Sequence, residues 1–216
     1  MTREGQPAAD MFTDPIASTS SGPAARNWTP GGRGRVPGEL GVWVLIGGEL
    51  LIFGLVFIVF GYERAQQIET FRIAQSTMHL TYGAVDTLLL LTSSVFVAWG
   101  VIALRDHQPR WSARLFAAAI ACGLMFVVSK YAEWSDMLTV GHDPFANSFF
   151  MFYFVLTTIH LTHLIAGLAV LIGMCRIART PNPTARALCH IESGACFWHL
   201  VDLIWIILFT LLYLVR

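Results

Sequence analysis

Two histidines on one turn, His160-Leu-Thr-His163, and a polar stripe of Glu192, His199 and Asp202 in the last apolar stretch are the side chains best suited to chemistry in this sequence. At 3.6 residues per turn His199 falls roughly 20° from Glu192, and Asp202 roughly 80° away, so the three share one side of a helix. Paired imidazoles on a helix could ligate a metal or haem, hydrogen-bond to a neighbouring helix, or hold an anionic lipid headgroup. A metal needs three or four converging ligands, and the nearest supplements, His199, Asp202 and Glu49, lie on other segments. A carboxylate at bilayer depth costs about 2.5–3.5 kcal/mol even on lenient insertion scales, so the stripe is expected to face the bundle interior or a partner, not lipid.

Three more ionisable side chains interrupt apolar segments. Glu49 follows Gly47 and Gly48, about 13 Å along the first segment at 1.5 Å per residue, near the bilayer middle. It reads either as a membrane carboxyl that exchanges protons or meets a partner, or as a hydrogen-bonding group for a neighbouring helix; the glycines permit close approach of a helix or lipid. Asp86 and Lys130 fall roughly 10 Å and about 12 Å below the same membrane face, on consecutive segments that run antiparallel. An interhelical Asp86–Lys130 ion pair would avoid burying either charge alone. The other reading has Lys130 snorkelling to the surface and Asp86 bonded to Ser or Thr hydroxyls. Glu133 and Asp136, beside Tyr131 and Trp134, read as wet members of an interfacial aromatic belt.

The elements that must position these groups are membrane helices. Of the 216 residues, 55% are hydrophobic and only 13% charged, too apolar for an ordinary soluble domain, and mean hydropathy is +0.59. Five segments, about 40–61, 80–104, 112–137, 147–175 and 191–215, meet the length of about 20 residues needed to span a bilayer. The fold class expected is an all-α, polytopic five-helix bundle with short connections, one membrane domain over 39–216. Residues 1–38, rich in Gly, Pro, Ser and Thr, read as a disordered polar tail. The first apolar run starts at Leu40, too late and too long for a signal peptide, so none is expected. Arg26, Arg33, Arg35, Arg105, Arg110, Arg114, Arg176, Arg179 and Arg186 fall on one side and Arg64, Arg72 and Arg216 on the other, which predicts a cytoplasmic N-terminus and an external C-terminus. Cys122, Cys175, Cys189 and Cys196 lack CxxC spacing and read as small buried residues. Nothing in the charge pattern suggests nucleic-acid binding.

Trp43 through Glu49, Asp86 through Ser94, Glu133-Trp134, Phe149 through Gly167 and Glu192 through Trp205 together resemble subunit III of the haem-copper oxidases, over nearly all of residues 38–216. The most specific pieces are His160-x-x-His163-x-x-x-Gly167 and Phe197-Trp198-His199-Leu200-Val201-Asp202-x-x-Trp205. The resemblance implies a subunit that carries no haem or copper itself, packs beside the catalytic subunit I, which holds haem with copper or iron, and binds phospholipid. It implies that Glu49 is the membrane carboxyl that reacts with carbodiimides, that His163 contacts a lipid headgroup, and that His160, Glu192, Trp198, His199 and Asp202 meet lipid or partner. Oxidase subunits III usually have seven helices, and the two that would precede Glu49 have no counterpart here. The Pro37-to-Trp43 entry, Lys130 and the five-helix length resemble the short homologues associated with bacterial nitric oxide reductases.

The function expected is therefore a non-catalytic accessory subunit of a respiratory haem-copper complex in a bacterial inner membrane. It would support the assembly, proton supply or lipid environment of an oxygen-reducing oxidase or a nitric oxide reductase. The alternative from another class is a membrane haem or metal oxidoreductase using His160, His163 and His199. A solitary carrier ranks last, because no broken helix pair or inverted repeat is visible.

Overall fold

The structure, a computed structural model, describes residues 40–141, 143, 145, 147–180 and 184–215. The tail expected over 1–38 lies outside the described residues. Six α-helices follow one another: α1 (Leu40–Gln66), α2 (Ile68–Ser76), α3 (Leu80–Arg105), α4 (Pro109–Thr139), α5 (Ser148–Ala178) and α6 (Ala185–Phe209), the last running into a π-helical turn, Thr210–Leu214. All but α2 are long and apolar enough to cross a membrane. Among the described residues there is no strand.

Local chemistry sets the boundaries. Pro109 opens α4, where its missing N–H costs nothing. The Asn147 side chain accepts from Phe150 N at 3.0 Å to start α5, and Thr184 accepts from Ala187 N at 3.3 Å to start α6. Within the spans several threonine hydroxyls donate to carbonyls one turn back, as Thr87 does to Gly83 and Thr157 to Tyr153, which pairs them in an apolar medium.

Helices α3, α4, α5 and α6 pack in a closed ring, each against the next and α6 back against α3, while α1 leans on the outside against α5 and α6. The buried side chains accordingly concentrate on α5 and α6, and α1 contributes little beyond Phe53 and Phe60. Helix α2, read as part of a loop from the sequence, buries Phe71, Ala74 and Gln75 and folds across the end of the bundle. Phe71 meets Phe60 and Phe149 edge-on. Gln75 Nε2 donates to the carbonyls of Leu211 and Leu212, both at 3.1 Å. Those carbonyls belong to the terminal π turn, where helical acceptors would otherwise go unpaired.

Candidate functional site

The polar side chains inside the bundle form a seam along α6 and its facing helices. At one end Arg105 of α3 reaches Glu192 at 2.6 Å. Further along α6, His199 Nδ1 lies 2.6 Å from the Ser94 hydroxyl of α3, and Asp202 lies beside the same serine. Next, Trp205 Nε1 donates to Thr87 Oγ1 at 3.2 Å. Each step toward the α6 C-terminus meets an α3 residue nearer the α3 N-terminus, as antiparallel helices require. The stripe expected on α6 therefore faces α3, inside the chain. From Glu192 to Tyr213 it covers about 30 Å at 1.5 Å per residue, the thickness of a hydrocarbon core.

The seam ends in a charged cluster. Lys130 Nζ of α4 donates to Glu133 Oε2 at 2.6 Å and stands 3.0 Å from Asp86 Oδ2 of α3, with all three side chains at most 1% exposed. Tyr213, in the π turn, donates to Glu133 Oε1 at 2.6 Å, and its hydroxyl lies 3.4 Å from that of Tyr153 on α5. The ammonium also sits 4.5 Å from the Trp205 ring centre, a cation–π contact in a desolvated setting. Four elements thus converge on Lys130. Glu133, read from the sequence as wet, is instead buried. Tyr213 of the π turn comes down onto its carboxyl, and aromatic neighbours alone do not show such a cover. Asp136, one turn further out, is exposed and accepts from the Tyr82 hydroxyl at 2.7 Å.

The two histidines of α5 part company. Three residues turn a helix through 300°, so His163 points toward α1 while His160 points into the ring. His163 Nε2 lies 2.9 Å from Glu49 Oε1, and its Nδ1 lies 2.8 Å from the Ile159 carbonyl. A carbonyl only accepts, so Nδ1 carries a proton and Nε2 shares a second one with the carboxyl. Glu49 is thereby tied to this chain's own imidazole. Phe53 packs edge-on against the same ring. His160 is buried between Trp205 and Phe126, without a hydrogen-bond partner on either ring nitrogen.

Three residues expected at a lipid or partner surface are interior ones: His160, Trp198 and Asp202 are all buried within the ring. Trp198 explains a spacing in the sequence. A Cβ on Gly167 would lie 2.8 Å from its ring, and one on Gly123 would lie 3.1 Å from it, so glycines on α5 and α4 make the slot that the indole fills. His160, His163 and His199 each have different neighbours and do not converge. Among the described residues no three His, Cys, Asp or Glu side chains are grouped to hold a metal ion.

Comparison with known proteins agrees with this bundle. The family model for cytochrome c oxidase subunit III matches residues 38–215, all five spans. The chain belongs to that family. It is 26% identical over 178 residues to cytochrome bo(3) ubiquinol oxidase subunit 3 of Buchnera aphidicola subsp. Acyrthosiphon pisum, covering 81% of this chain and 84% of that protein. It is 29% identical over 176 residues to cytochrome c oxidase subunit 3 of Thermostichus vulcanus, covering 81% and 86%. With cytochrome c oxidase subunit 3 of Corynebacterium diphtheriae identity is 27% over 181 residues, covering 82% and 88%.

The polar and motif residues of this subunit III family member are of two kinds. Trp198 and Gly167 of the quoted motifs serve the packing of α4, α5 and α6, and Asp202 faces Ser94 of α3, whereas Glu49 and His163 stand half-buried where α1 meets α5. The residues missed from the sequence are Glu133, Tyr213, Tyr153, Arg105, Ser94 and Gln75. Arg105 could have been found, because it sits in the last turn of α3 and Glu192 in the second turn of α6, at the same membrane face. Tyr213 could not, since the π turn shifts its register.

Proposed function

We propose that this chain is a non-catalytic subunit III of a haem-copper respiratory complex in a bacterial inner membrane, packed against a catalytic subunit I that holds the haem and metal. The single observation that carries this reading is the match of the subunit III family model to every membrane span of the chain. The side-chain geometry supports it: the interior polar groups are used to hold the helices together, and the histidines are placed apart. The protein therefore acts through its surface and its proton-bearing groups, not through a bound redox centre.

The proposal includes a lipid. Glu49 and His163 are the half-exposed polar pair on the outside of the ring, and a Cβ at Gly47 or Gly48 would meet nothing within 4 Å in this chain. That flat, glycine-faced strip beside a neutral Glu–His pair suits a phospholipid acyl chain with its headgroup at the membrane surface. The orientation proposed from the arginine count places the Arg105–Glu192 end in the cytoplasm and the Tyr82–Asp136 end outside.

Affinity purification in mild detergent, followed by identification of the co-purifying chains, tests the reading. A haem-bearing subunit I is the expected partner, and its sequence tells an oxygen reductase from a nitric oxide reductase. Recovery of the chain without any haem protein would overturn the proposal.

A further inference from the structure

The Lys130 cluster is unbalanced. Two carboxylates, Asp86 and Glu133, face one ammonium, and the remaining polar neighbours are neutral: Tyr153 from α5, Tyr213 from the π turn and Ser129 from α4. Ionised throughout, the site would hold one excess negative charge with no exposed side chain, a state that a low-dielectric interior penalises heavily. The hydrogen bonds show which carboxyl is the odd one. Glu133 receives a bond on each oxygen, from Lys130 and from Tyr213, both at 2.6 Å. Asp86 has the ammonium at 3.0 Å and the Ser129 hydroxyl nearby, but neither of its oxygens has a well-directed donor.

Hollows also open beside the cluster. Two hollows flank Tyr82 where it bonds Asp136. One, of about 80 Å³, has Glu133 in its wall and room for several waters. The other, wider, reaches Ser129, and His79 edges both. On the opposite side Trp205, Phe126 and the unpartnered His160 pack edge-on or tilted against one another and all are buried. Protons can therefore reach the cluster through polar groups from the Tyr82–Asp136 face and meet an aromatic plug beyond it.

We propose that Asp86 is a proton-binding site that exchanges with that aqueous face by way of the hollows beside Tyr82 and the Ser129 hydroxyl. In the step, a hydronium ion in the hollow gives its proton to Ser129 as Ser129 passes its own to Asp86, leaving a carboxylic acid at Asp86 and a neutral Lys130–Glu133 pair. No electron moves and no other bond changes. The proposal rests on the bundle alone, not on the identity of its partner.

Infrared difference spectroscopy on the full chain in lipid nanodiscs, across pH steps in H2O and D2O, tests it. The wild type should show a protonated-carboxyl C=O band that shifts in D2O and is absent from Asp86→Asn. It should be lost from Glu133→Gln too, because Asp86 then becomes the sole counterion of Lys130 and ionises. Each of these variants leaves one neutral ion pair, so both should fold, and either alone gives the reading. Ser129→Ala should keep the band but slow its exchange with D2O severalfold, which a merely structural serine would not do. The proposal is overturned if the band survives in Asp86→Asn or in Glu133→Gln, if it never exchanges, or if neither variant folds.

Discussion

Lys130 shows how strongly one residue type in an apolar helix constrains what surrounds it. An ammonium 1% exposed cannot stand alone, and its two carboxylates, a tyrosine hydroxyl and an indole face draw α3, α4, α6 and the terminal turn to one point. Lys130→Met would leave two buried carboxylates, and a loss of about 3–5 kcal/mol in stability is expected, seen as a lower folded yield and melting temperature in detergent. Adding Asp86→Asn and Glu133→Gln should restore most of it. Changing only Asp86 and Lys130 to Leu should not, because Glu133 would remain uncompensated; a full recovery by that pair would remove Glu133 from the account. At Glu49 the geometry separates two substitutions. Gln can donate its amide to the free Nε2 of a neutral His163, so Glu49→Gln should fold and assemble like the wild type. Glu49→Leu leaves that nitrogen unpaired and should cost about 1–3 kcal/mol, measurable in the same melts.

At the scale of elements, what could be read from the sequence was what hydrophobic length records. All five spans were legible, and so was the antiparallel matching of Asp86 with Lys130, because depth follows from rise per residue. Helix α2 was not: it has nine residues and a single buried side, and its Phe71, Ala74, Gln75 spacing lies below the length of a spanning segment. Glu133 was misread because its carboxyl is covered by Tyr213 of the π turn that Gln75 clasps, a short element that hydrophobic length does not reveal. The 60° between His160 and His163 likewise hid that one imidazole serves the ring and the other serves α1. Close packing at Trp198 makes a sharp test of the ring. Gly167→Ala would set a Cβ 2.8 Å from a fully buried indole, and a destabilisation of about 1–3 kcal/mol is expected. Gly47→Ala, in open space on α1, should be near neutral in the same assay.

Taken whole, the molecule is a four-helix ring with α1 at its side, stitched by polar contacts across the membrane and devoid, among the described residues, of any converging metal ligands. Its orientation is open to a direct check: a periplasm-dependent reporter such as alkaline phosphatase should be active when fused in the loop after Thr139 and inactive when fused between α3 and α4. The reverse pattern would invert the proposed faces. A subunit III family bundle with this interior is proposed to support redox chemistry held by another chain. Soret absorbance and metal content of the chain, stripped from its complex and still folded by circular dichroism, test that most directly. Neither a Soret band nor stoichiometric iron or copper is expected, with both retained by the partner; a haem or metal that stays with this chain and is lost on replacing His160, His163 or His199 would overturn that role.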